Sequence, residues 1–239
     1  MTMMRSALFS LWFYVVTTIV VVLGLPVGLL APRFVTTYAK LWSYLVCAGL
    51  PLCGIRLVIE GRENLPSSGR MLIASQHQSA FDTLIWFTLL PDCRYVVKIE
   101  LLRLPLFGWM GRRGGQIGVD RDAGTAAMRK MLRDADAAWA QEAQVVIFPE
   151  GTRAPAGEVA RLHPGVAALA KSSGLPVIPV TTDSGWCWRK GPFGKRPGTI
   201  HVRIHPALAA NLARPVLMSE LQHIFLKAAA QGIPGGAHP

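Results

Sequence analysis

Apolar residues crowd the front of this chain and then break into short alternating runs. No charged residue occurs between Ser6 and Pro32, and Leu8 to Leu30 is long enough to cross a hydrocarbon layer of about 30 Å. A second uncharged run, Leu41 to Ile55, has fifteen residues and carries Gly49 and Pro51. It is too short to span comfortably and reads as a re-entrant or interfacial helix beside the first. Arg5 ahead of the first run would suit a signal peptide, but no small-x-small cleavage site precedes Arg33 cleanly. The pattern predicts two membrane-anchoring helices over residues 1–58.

Beyond the anchor, apolar runs of strand length alternate with segments of helical periodicity. Arg56 to Glu60, Met71 to Ser75, Arg94 to Lys98, Gln116 to Asp120, Val145 to Phe148, Val177 to Thr181 and Thr199 to Ile204 read as strands. Phe81 to Leu90, Leu101 to Met110, Ala123 to Gln141, Gly165 to Ser173 and Ser219 to Ala229 read as helices. In the third of these, Met128, Met131, Leu132, Ala135 and Trp139 form one apolar stripe. The expected fold class is therefore α/β, a mixed sheet flanked by helices over residues 59–231, preceded by the two-helix anchor. The Gly- and Pro-rich segment 232–239 is expected to be a disordered tail.

Charge and cysteine usage narrow the partners. The net charge is +11, and beyond Glu60 21 basic residues against 13 acidic ones still leave +8. Such a field attracts polyanions, either nucleic acid or anionic lipid headgroups, and the apolar front favours the lipid. Cys47, Cys53, Cys93 and Cys187 show no C-x-x-C pairing, which argues against disulfide staples and a zinc site and for a reducing, cytosol-facing domain. His163, His201, His205, His223 and His238 show no ligand spacing, so no metal is expected.

Two patches carry candidate chemistry. Gln76-His77-Gln78-Ser79-Ala80-Phe81-Asp82 follows a strand. Acyl transfer to an alcohol needs a base for the hydroxyl proton, and a carboxylate can orient an imidazole for that task. Five residues on a continuous helix subtend about 140°, so His77 and Asp82 can meet only if the histidine lies in the loop and the aspartate in the helix's first turn. A satisfied structural histidine is the plainer reading of this patch alone. Phe148-Pro149-Glu150-Gly151-Thr152-Arg153 also follows a buried-looking strand. Its glycine and threonine would let backbone N–H groups approach a ligand, and Arg153 could clamp a phosphate monoester; the plainer alternative is a surface turn. A third stretch, Trp186 to Arg196, interleaves aromatics with cations and reads as a membrane-facing loop or a solvated hairpin.

Together the patches resemble the glycerolipid acyltransferases typified by 1-acylglycerol-3-phosphate O-acyltransferases. That family has an H-x4-D block, here His77 to Asp82, and an F-P-E-G-T-R block, here Phe148 to Arg153. The segments around Lys98, from Gly115 to Arg121, and from Val177 to Val180 resemble its remaining blocks, in the same order from about Glu60 to Pro206. One departure is Gln76, where members usually carry Asn; the longer amide is expected to donate the same hydrogen bond from a shifted position. Another is Gly118, where a bulkier apolar residue is common.

The resemblance implies that His77 is a general base oriented by Asp82, with no covalent acyl-enzyme. It implies a substrate-binding group of Lys98, Arg121, Glu150, Gly151, Thr152 and Arg153, in which Lys98, Arg121, Gly151 and Arg153 hold the acceptor phosphate and Glu150 orders the site around it. The implied reaction moves an acyl chain from acyl-CoA or acyl carrier protein, a co-substrate rather than a cofactor, to the sn-2 hydroxyl of lysophosphatidate, giving phosphatidate for phospholipid biosynthesis. No cofactor and no nucleic acid partner are expected. The expected partners are the lysophospholipid, the acyl donor and membrane lipids, at the cytoplasmic face of the inner membrane. Two rivals are an acyltransferase for another lysolipid, such as lyso-ornithine lipid, and a non-catalytic, membrane-tethered binder of anionic lipid. A binder needs the cations but has no use for an oriented base.

Overall fold

The computed structural model describes residues 2–120 and 123–231, so Arg121 and the expected tail lie outside the described residues. Seven strands form one sheet in the order β1-β7-β6-β2-β5-β3-β4. They are β1 (Ile55–Glu60), β2 (Met71–Ser75), β3 (Cys93–Lys98), β4 (Ile117–Val119), β5 (Gln144–Ile147), β6 (Val177–Thr182) and β7 (Gly198–Ile204). Strands β6, β2, β5, β3 and β4 run parallel; β7 is antiparallel to β6 and pairs in parallel with β1. The sheet is thus mixed, as expected.

Both faces of the central strands are buried, which explains why their sequences are continuously apolar. Successive side chains point to opposite faces. Met71, Ile73, Val146 and Val180 therefore face one core, and Leu72, Ala74, Val145 and Ile147 the other. The second core is closed by α6 (Gly124–Trp139), α7 (Gly165–Ser173) and α9 (Arg214–Ala230). Within α6, Met131, Ala135 and Trp139 are buried, the stripe read from the sequence.

The first core is closed by α3 (Asp82–Leu89) and by the two front helices, α1 (Thr2–Leu30) and α2 (Val35–Ala48). Of the two anchor helices expected, the structure leaves one candidate: among the described residues α1 alone is long and apolar enough to cross a membrane. The second apolar run is divided among the 14-residue α2, a short 3-10 turn at Leu50–Cys53 and the start of β1. Helix α2 joins the α/β core: Val46 and Leu50 share a cluster with Phe81 and Leu84, and Tyr44 donates a hydrogen bond to Thr88 O.

Helix α1 lies along the domain over most of its length. Near its start, Ser6 and Ser10 donate to the carbonyl of Pro192. Near its end, the guanidinium of Arg113 donates to Gly28 O at 2.7 Å. In between, Trp12 donates to Leu45 O and Trp42 to Thr17 Oγ1. The opposite face of α1, including Leu8, Leu11, Ile19 and Leu23, is exposed.

The helix expected over Leu101 to Met110 is broken into α4 (Ile99–Arg103) and α5 (Phe107–Arg113). Pro105 forces Leu104 into an extended conformation, and Leu106 takes φ +57° before the second helix starts. The last helix begins at Arg214, earlier than expected, because Pro215 suits a first turn that has no use for its missing N–H. A single turn, α8 (Ser184–Cys187), follows β6 and has no counterpart among the expected elements.

Candidate functional site

Parallel strands β6, β2, β5, β3 and β4 all end at one edge of the sheet. Loops leaving the carboxyl ends of such strands are where open α/β sheets hold ligands. His77 follows β2, Phe148 to Arg153 follow β5, Lys98 closes β3, and Ser184 follows β6. Residues far apart in sequence thereby meet at one edge.

His77 lies in the loop and Asp82 opens α3, the arrangement their spacing requires. Nδ1 of His77 lies 3.2 Å from Oδ2 of Asp82. The same oxygen accepts the backbone N–H groups of Gln78 and Ser79, each at 2.7 Å, and Oδ1 accepts the hydroxyl of Ser184 at 2.6 Å. Ser79 Oγ in turn donates to Ser184 Oγ at 2.8 Å. Asp82 is 2% exposed, so four donors replace its water. A carboxylate only accepts, so Nδ1 carries the imidazole proton of this pair and Nε2 is left with a lone pair.

The F-P-E-G-T-R loop packs against the histidine from the other side. The Phe148 ring stacks on the imidazole with centroids 4.4 Å apart, and Tyr95 stacks on Phe148 at 5.9 Å. Ala154 N donates to His77 O at 2.8 Å, while the N–H of His77 donates to Glu150 Oε2, also at 2.8 Å. Glu150, expected in the substrate-binding group as the residue that orders the site, is 1% exposed, with its second oxygen accepting from Ala160 N. Both oxygens hold backbone, so Glu150 ties two loops together. Burial pushes its carboxyl up to about 7, against the two N–H donors and with the nearby Asp82 charge adding to the rise.

Gly151 turns the chain after Glu150 with φ +65°, a conformation that side chains resist, and its N–H donates to Phe148 O. Thr152, Arg153 and Lys98 are exposed at this edge. Gln76 departs from expectation: its Oε1 accepts from Thr182 N at 3.3 Å, and its buried Nε2 has no partner among the described residues. Ser184 was not anticipated. It stands 102 positions from Asp82 and in no motif with it, and only the adjacency of β6 and β2 brings them together.

Beside this network lies a cavity of about 350 Å³. Gln78 and Ala154, one next to His77 in sequence and the other hydrogen-bonded to it, form part of its wall, and Arg153, Arg189 and Lys190 line it.

An imidazole braced by a buried carboxylate beside a cationic cavity, at the carboxyl ends of parallel strands in a mixed sheet, defines a class of α/β protein with its candidate site at the strand ends. Within that class the chain belongs to the acyltransferase family, whose sequence profile matches residues 56–183. It is 37% identical over 170 residues to a 1-acyl-sn-glycerol-3-phosphate acyltransferase of Pseudomonas aeruginosa, covering 71% of this chain and 66% of that protein, just under two thirds. It is 29% identical over 232 residues to the mouse 1-acyl-sn-glycerol-3-phosphate acyltransferase alpha, covering 90% of this chain and 79% of that one. The fold matches the crystal structure of a 1-acyl-sn-glycerophosphate acyltransferase from Thermotoga maritima, with a TM-score of 0.78, 21% identity and 97% of each chain covered.

Proposed function

We propose that this chain is a 1-acyl-sn-glycerol-3-phosphate O-acyltransferase that makes phosphatidate from lysophosphatidate and an acyl thioester. The observation that carries the reading is the contact of His77 with Asp82 beside the F-P-E-G-T-R loop, in a chain whose relatives bear that name.

In this reading Nε2 of His77 takes the proton of the sn-2 hydroxyl as its oxygen attacks the thioester carbonyl carbon. The new C–O bond forms, the tetrahedral intermediate collapses, the C–S bond breaks, and the imidazolium returns its proton to the departing thiolate. Acyl-CoA and acyl carrier protein are equivalent donors for these steps. Asp82 supports the imidazolium that forms, and positioned proton transfer of this kind contributes typically 10²–10⁴-fold. Lys98, Arg121, Thr152 and Arg153 supply donors for the acceptor phosphate, and Gly151 lets backbone approach it. Glu150 holds the two loops in register.

The bilayer reading rests on α1. From Ser6 to Gly28 the helix is about 33 Å long at 1.5 Å per residue, and the domain grips it at both ends. A helix held along the domain in this way favours a monotopic anchor over a single pass. It lies on the membrane with the face bearing Leu11, Ile19 and Leu23 in the acyl region, so the anchor is monotopic. The four free thiols agree with a cytoplasmic catalytic face at the inner membrane.

The test is thiol release from oleoyl-CoA and from oleoyl-acyl carrier protein by purified protein, with lysophosphatidate or lyso-ornithine lipid as acceptor. Release that depends on lysophosphatidate and yields phosphatidate supports the reading. Release with lyso-ornithine lipid alone moves the acceptor, and none with any lysolipid leaves a lipid-binding protein.

A further inference from the structure

The stretch from Trp186 to Arg196, read from the sequence as a membrane-facing loop or a solvated hairpin, folds as a hairpin against α1. Its Trp188 and Lys195 pair across a small hairpin, with Arg189 N donating to Gly194 O and Arg196 N to Cys187 O. Trp188 is buried and meets Phe9 of α1 edge-on, with centroids 5.0 Å apart. Ser6 and Ser10 of α1 both donate to Pro192 O at the hairpin tip, and Ser6 Oγ accepts from Lys195 N. The anchor helix therefore fixes this hairpin, and with it the two cations that line the cavity beside His77.

We propose that Arg189 and Lys190, together with Arg153, form a phosphate-binding site in that cavity, held in place by α1. The inference rests on the acyltransferase reading and assigns the hairpin to substrate recognition. Three cationic side chains converge on one concavity, and its size, about 350 Å³, is at the lower end of small-molecule sites, which run from roughly 300 to 1,000 Å³. A phosphate there would gain charge-assisted hydrogen bonds from guanidinium groups suited to bidentate contact. The cavity wall includes Gln78, which follows His77 in the chain, and Ala154, whose N–H donates to His77 O. Both substrates carry phosphate: the acceptor as a monoester, the donor on its carrier arm.

The double variant Arg189→Gln/Lys190→Gln tests the assignment through the two KM values. A rise of roughly 10–100-fold in the KM for lysophosphatidate, with that for oleoyl-CoA within twofold, supports the site and makes the phosphate the acceptor's. The reverse pattern supports the site and makes it the donor's. Both KM values within twofold of wild type overturn the inference while leaving the reaction intact. The swap Arg189→Lys/Lys190→Arg should recover most of the lost affinity; a loss of both affinities that the swap leaves untouched also overturns it. Calorimetric titration with sn-glycerol 3-phosphate and with coenzyme A, neither of which can turn over, reads binding independently of catalysis. Binding of one of them that the Gln variant weakens by 10–100-fold upholds the site even if no transfer is found. Equal titrations of the two proteins overturn it.

Discussion

The hydroxyl of Ser184 lies 2.6 Å from Oδ1 of Asp82, although 102 positions separate the two residues. It is the only side-chain donor to that oxygen among the described residues. Ser184→Ala leaves one oxygen of a 2% exposed carboxylate without this donor, a loss on the order of 1–3 kcal/mol. We expect kcat to fall about tenfold with the acceptor KM near wild type, measured by steady-state thiol release. An unchanged kcat would separate Ser184 from the chemistry.

Glu150 makes stability depend on pH. Its carboxyl is raised from the ordinary 4.5 to about 7 by burial, so between those values the folded state binds a proton that the unfolded state has released. The stability this group contributes is complete below about 4.5 and is lost as pH climbs through about 7, a total of roughly 3 kcal/mol. Glu150→Gln should flatten the difference in unfolding free energy between pH 5 and pH 8 by an amount of that order. Denaturant melts at the two pH values check it, and equal pH dependence in both proteins refutes it.

Phe148 stacks on the imidazole of His77 at 4.4 Å. Replacing it with leucine keeps apolar volume but gives up the ring contact, worth about 0.5–1.5 kcal/mol. A drop in kcat of roughly 2–10-fold is expected, with the melting temperature little changed.

The outer face of α1 should govern membrane binding. Leu11, Ile19 and Leu23 are 61%, 52% and 61% exposed. Changing all three to serine removes apolar area that a bilayer would bury, at roughly 1.5–3 kcal/mol for each fully buried side chain. Flotation with anionic vesicles should show at least a tenfold weaker partition and no loss of fold. Equal flotation would move the contact surface elsewhere.

Much of this arrangement was readable in the chain, and the exceptions have physical causes. The strands were visible because both sheet faces are buried, which makes segments such as Met71 to Ser75 continuously apolar. His77 and Asp82 were legible because a strand, a loop and a helix start fix their separation locally. Ser184 was not, because its partnership depends on which strand lies beside β2, a long-range choice with no local signal. The core role of α2 was hidden for a related reason. Hydropathy cannot distinguish an apolar surface meant for lipid from one meant for a core, and Val46 and Leu50 belong to the core. The partners of Glu150 were not legible, because the fold brings the two backbone N–H groups to its buried carboxylate.

The central claim is that Nε2 of His77, freed by the contact of Nδ1 with Asp82, accepts the acceptor hydroxyl's proton. The most direct measurement is kcat for His77→Ala, purified free of other acyltransferases, in lysophosphatidate-dependent thiol release from oleoyl-CoA. The account predicts a fall of roughly 10²–10⁴-fold in a protein that melts as the wild type does. Turnover within a few-fold of wild type in that folded variant would contradict it.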